Sequence, residues 1–189
     1  MKDKDRVAVS QFHTLLHPYN TSLVTCCNSQ GRANIITIAW MTPLSVNPPF
    51  VGVSIRPTRY SYSLIRETGQ FIINVASYDL AKQVLLCGRQ SGHDLNKFTV
   101  TGLTPGKAKR VLPPIIEECF AHLECRVVND IETGDHRLIV GEVLEVTVTP
   151  SVVDQQGLYD LDRVQPLLHM GRNRFTTTER RFIEPDILA

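Results

Sequence analysis

Ser91 stands between Gly88 and Gly92, and the polar run Ser91-Gly92-His93-Asp94-Leu95-Asn96-Lys97 ends in a lysine. Free backbone amides beside a cation make a chemically sensible cradle for a phosphate. The run is not a P-loop, which needs Gly-Lys-Ser/Thr in succession, and taken alone it is the stuff of ordinary surface loops. A second group, Ser54-Ile55-Arg56-Pro57-Thr58-Arg59-Tyr60-Ser61, passes from a strand end into a helix start. Two arginines and several hydroxyls there favour an anion. Equally, Thr58 or Ser61 caps the helix and the arginines are solvated. Gly134-Asp135-His136 puts an imidazole at a rim, able to move protons or simply to fill a turn. Trp40-Met41-Thr42-Pro43 reads as core packing or as the wall of a flat aromatic cofactor.

Other arrangements carry less. His13 and His17 have the spacing of a helical metal pair, but Thr14 stands where a metalloprotease helix carries its glutamate, and no third ligand is marked. No metal is expected. No nucleophile elbow surrounds a Ser or Cys, which leaves hydrolase chemistry weakly supported. Five cysteines form no C-x-x-C pair and read as reduced, mostly buried thiols.

The elements that must hold these groups are mostly strands. Ser22 to Cys27 reads as one strand and Ala33 to Met41 as a central strand buried on both faces, with a turn at Gly31 between them. Pro43, Pro48 and Pro49 are expected to break the ladder before Phe50 to Ile55 resumes it. Arg59 to Glu67 and Tyr78 to Leu86 have helical periodicity, with Gly69 and Gly88 as their stops. Phe71 to Ala76 is another strand. Phe120 to Val128 and Arg137 to Thr149 read as a long hairpin around a loop at Asp130 to Asp135, with Gly141 marking a bulge or a close approach. The chain after Pro150 reads as polar and irregular. Long strands with few helices predict a mainly β protein with short helices, an antiparallel barrel rather than a doubly wound sheet.

Composition agrees with a folded domain. The 189 residues are 42% apolar and 21% charged, enough to bury a core without staples. A formal net charge of +1 and no dense basic stripe argue against nucleic acid. No run of 18 apolar residues suggests a membrane span, and the charged start lacks the apolar core of an export signal, so a cytoplasmic location is expected.

Taken together and in this order, four stretches resemble the flavin reductase-like FMN-binding split-barrel family, nearest its flavoredoxin-like branch. They are N-I-I-T-I-A-W-M-T-P-L-S-V-N-P-P-F-V-G-V-S-I, R-Y-S-Y-S-L-I-R-E-T-G-Q-F-I-I-N-V, C-G-R-Q-S-G-H-D-L-N-K-F and G-D-H-R-L-I-V-G-E-V. The resemblance implies a split barrel over residues 1–189, with a short N-terminal segment and an irregular tail. It also implies a homodimer with FMN near its interface and NADH or NADPH as electron donor. A monooxygenase or an electron-transfer protein would be the further partner. By the same resemblance the ring lies along Ala39, Trp40, Met41 and Thr42, and Arg56, Arg59, Ser61 and Lys97 meet phosphate or ribityl oxygens. Ser91 and Gly92 would shape the loop, and His136 would stand near flavin or nicotinamide. An electron carrier without NAD(P)H turnover is the alternative. The branch often has an acidic residue before the lysine, where this chain has Asn96.

Overall fold

The structure, a computed structural model, describes residues 4–181. A 3₁₀ helix at Val9–Leu16 leads into β1 (Tyr19–Asn20). Next, β2 (Ser22–Cys27) and β3 (Ala33–Ile38) pair as a hairpin about Gly31, whose φ of 81° suits a residue without a Cβ. β4 (Met41–Ser45) and β5 (Phe50–Ile55) make a second hairpin. α1 (Tyr60–Thr68), β6 (Gln70–Val75), α2 (Ala81–Arg89) and α3 (Lys97–Thr101) follow. The two-residue strands β7 (Pro105–Gly106) and β8 (Ile115–Ile116) precede the long hairpin of β9 (Ala121–Thr133) and β10 (His136–Val148). β11 (Leu168–Gly171) and β12 (Arg174–Thr176) come last.

Seven strands form one antiparallel sheet in the order β3-β2-β6-β9-β10-β5-β4. Its two outermost strands, β3 and β4, are consecutive in the chain and joined only by Ala39 and Trp40. Three Cα steps reach roughly 11 Å at most, so the sheet has to curl until its edges meet. The Ser54 amide donates to the Trp40 carbonyl at 2.8 Å and ties that joint to β5. The product is an antiparallel barrel split along one seam, the expected architecture. Val24, Phe71 and Ile139 are fully buried inside it, and Leu23 is buried on the other face in a second cluster with Val84 and Cys87 of α2. At Gly141 both expectations hold: the β9–β10 register shifts there, and a Cβ would lie 2.5 Å from the Phe71 ring. Gly69, at φ 67°, ends α1 with its amide on the Ile65 carbonyl.

Several expectations are corrected. Ala33 to Met41 is not one central strand: β3 stops at Ile38 and lies at the sheet's end. Its apolar content is explained by α2, which packs on it so closely that a Cβ at Gly88 would sit 3.3 Å from Thr37. That approach also accounts for Gly88, which lies inside α2 and does not stop it. Pro43 stays within β4, because an edge strand can spare a ladder donor. The loop at Asp130 to Asp135 shrinks to a turn at Gly134 and Asp135, since polar residues occupy solvated strand ends. After Pro150 the chain is not wholly irregular: β11 pairs with β12 and with β1 in a small three-stranded sheet.

Candidate functional site

A cleft of about 320 Å³ opens between the N-terminus of α1 and the loop before α3. Asn34 enters it from β3 at 3% exposure, its Nδ2 donating to Ser61 Oγ at 2.8 Å. Its Oδ1 is buried without a partner, a cost of about 1–3 kcal/mol unless something else donates to it. Gly92 lies against that oxygen, and a Cβ there would fall 1.8 Å from it. Lys97 forms part of the lining, 3% exposed, and donates from Nζ to the carbonyls of Ile35 and Cys87 at 2.7 and 2.6 Å. Burial lowers the Lys97 pKa from the ordinary lysine value. Asn96 caps α3 by accepting from the amides of Phe98 and Thr99, a task an acidic side chain would also perform. Arg59 is the N-cap residue of α1 but makes no side-chain capping bond, so neither Thr58 nor Ser61 is the cap; the Tyr62 amide bonds back to the Arg59 carbonyl, which leaves those of Tyr60 and Ser61 for a ligand.

The cleft continues. A compartment of about 220 Å³ shares Thr37, Gly88 and Arg89 with it, and shares Ala39, His169 and Arg172 with a third of about 640 Å³. Arg59, Ser61, Ser91, Gly92 and Lys97 thus come together in the first compartment, and Ala39 lies in the second. Trp40 and Ala39 wall the third, while Met41 and Thr42 join Trp40 in an apolar groove of about 340 Å³ beside the N-terminal 3₁₀ helix.

Arg56 stands apart from the first cleft. Its Nη2 meets Asp135 Oδ2 at 2.9 Å, and Asp135 Oδ1 accepts from His136 Nδ1 at 2.7 Å. The hydrogen bond from His136, with Arg56 adding to it, holds the Asp135 carboxyl below the usual aspartate range. His136 lies against Trp40 with ring centroids 4.9 Å apart, which fixes the imidazole near the barrel seam. Asn34, Thr37 and Arg89 were not anticipated. A lone Asn in an otherwise apolar strand was the available signal for the first.

All five cysteines are buried and unpaired, and burial pushes Cys87, beside the cleft, up to about 11. They are inert thiols at neutral pH.

Residues 14–178 match the flavin reductase like domain. The chain belongs to the flavin reductase-like family. Among its relatives in that family is an uncharacterized protein of Archaeoglobus fulgidus, 40% identical over 169 residues, 88% of this chain and 93% of the relative. A flavin reductase of Pseudomonas putida is 30% identical across 72% of this chain and 78% of its own. The flavoredoxin of Desulfovibrio vulgaris (Miyazaki F) superposes with a TM-score of 0.84 at 28% identity, covering 97% of each chain. The split barrel is the architecture of this flavin reductase and flavoredoxin type.

Proposed function

We propose that the whole chain acts as one FMN-binding domain, an oxidoreductase of the flavin reductase type that takes electrons from NADH or NADPH. The first cleft carries this reading. A buried carbonyl oxygen lacking a donor, a serine hydroxyl and a lysine converge below a glycine whose place no side chain could take. The chemistry fits FMN. A ribityl chain has hydroxyls for Asn34 Oδ1, while Arg59, Lys97, Ser61, Ser91 and the open amides of α1 suit a phosphate. Ala39, Trp40, Met41 and Thr42 would wall the ring. No dinucleotide fingerprint accompanies the site, which favours FMN over FAD.

When bound, FMN supplies the redox chemistry. The protein's residues hold and orient it. His136, with Nδ1 engaged by Asp135, keeps Nε2 for a substrate and is proposed as the catalytic residue. Arg56 acts on it through Asp135 and is a positioning residue. A monooxygenase or an electron-transfer protein is the further partner of this reading. The similarity to flavoredoxin supports a second reading, an electron carrier without useful NAD(P)H turnover.

Two measurements test these readings. Mass analysis of flavin released from purified protein should show FMN; FAD alone, or no flavin uptake by apoprotein, overturns the proposal. Anaerobic NADH or NADPH should bleach the flavin band of the holoprotein. Bleaching only by a reduced protein donor selects the carrier.

A further inference from the structure

We propose that the third compartment of the cleft binds the phosphate groups of the dinucleotide donor and selects NADPH over NADH. The inference rests on the flavin reductase reading above. Five basic side chains line the compartment: His13, His17, His169, Arg172 and Arg174. Among the described residues no Asp or Glu joins them, in a chain that carries 20 Lys and Arg against 19 Asp and Glu. Arg56, Arg126, Arg137 and Arg163 all have carboxylate partners, whereas Arg172 and Arg174 have none among the described residues. Unpaired guanidiniums gathered away from acids form an anion site.

The fold holds this group in place. Arg172 occupies the β11–β12 turn at φ 53°, a left-handed conformation that glycine or asparagine adopts more easily. His169 bonds through Nε2 to the Arg172 carbonyl at 3.1 Å, and its ring lies between His17 and Phe175, with centroids 5.5 and 5.3 Å away. His17 donates from Nδ1 to the Thr14 carbonyl at 2.9 Å. Each of these two rings is therefore anchored by one nitrogen and keeps the other for a ligand.

Position decides the ligand class. Trp40 and Ala39 close one side of this compartment and are also the residues proposed to wall the flavin ring. A donor whose nicotinamide lies there would run its ribose phosphates toward the arginines. A volume of about 640 Å³ is far more than a small carboxylate fills. A ribose 2′-phosphate, dianionic and suited to the guanidinium fork, is the group that separates NADPH from NADH.

The test is calorimetric titration of FMN-saturated protein with adenosine 2′,5′-bisphosphate and with adenosine 5′-monophosphate. The bisphosphate should bind at least about tenfold more tightly, the effect of one charged hydrogen bond. Arg172→Gln/Arg174→Gln should erase that preference while FMN affinity and melting temperature stay unchanged, and Arg174→Gln alone should reduce it. Equal binding of the two nucleotides by the unaltered protein, or a preference that survives the double substitution, overturns the proposal. Should the protein fail to take up FMN, the same titration on protein as purified still decides the phosphate site, so the two failures are distinct.

Discussion

Lys97 is held by two carbonyls, with no acid among its partners, and only its third N–H is left for a ligand. If that donor meets the FMN phosphate, Lys97→Met should weaken FMN binding by about 1.5–3 kcal/mol, the range for a hydrogen bond to a charged group. Riboflavin, which lacks the phosphate, should lose much less in the same fluorescence titration. Equal losses would mean that Lys97 only pins α2 to β3. His136 faces a different test. His136→Ala should slow flavin reduction by the nicotinamide in stopped flow while FMN stays bound, because Arg59, Ser61 and Lys97 lie in another compartment. An unchanged rate would reduce it to a turn residue packed against Trp40. Local pattern offered two separate loops with anion chemistry, and only the family resemblance joined Arg59, Ser61, Ser91, Gly92 and Lys97; it also included Arg56, which the fold places on Asp135 instead. Asn34 was not legible. Only the tertiary approach of Gly92 and Ser61 shows that its amide faces a cleft.

Among the elements, β2 and β5 have the boundaries expected of them, because unbroken β-branched and apolar runs end at unambiguous turns. What local pattern could not convey was who packs on whom. Gly88 looks like a helix stop until α2 is seen against Thr37, and β11 and β12 are too short for periodicity to register. A polar network inside the sheet makes a prediction of its own. His122 on β9, 7% exposed, bonds from Nδ1 to Asn74 Oδ1 at 3.0 Å, and that oxygen also accepts from the Ile116 amide, fastening β8. Burial lowers the His122 pKa, although nearby Glu124 pulls the other way. The unfolded chain therefore takes up a proton at higher pH than the folded one does. Stability should be fully present above the ordinary histidine range near pH 6.5 and should fall as the pH drops through it. Urea midpoints between pH 7.5 and 5.5 would show the decline, and His122→Gln should flatten it; a flat profile for the unaltered protein contradicts the argument.

At the scale of the molecule, the barrel leaves apolar surface uncovered. Val9 and Val46 are 88% and 93% exposed, and Phe12, Leu15 and Leu16 stand out from the 3₁₀ helix, which buries none of its own residues. This surface favours the homodimer that the family resemblance implies, in which an isologous contact would cover it. Sedimentation at micromolar concentration should give about twice the 21.2 kDa chain mass, and a 21.2 kDa species that retains flavin would refute the dimer. The joint at Ala39 and Trp40 has a further consequence. Strand pairing throughout the sheet can survive when the joint lifts from β5 and the Ser54–Trp40 bond breaks, so opening there is a local fluctuation that costs less than unfolding. The parted state also loses one wall of the proposed ring site. A ligand bound there acts as a clasp, and the protein should breathe least where it is occupied. Amide hydrogen exchange would register this: the Ser54 N–H, donor to the Trp40 carbonyl, should exchange markedly more slowly when FMN is present, while amides deep in β6 keep their rates.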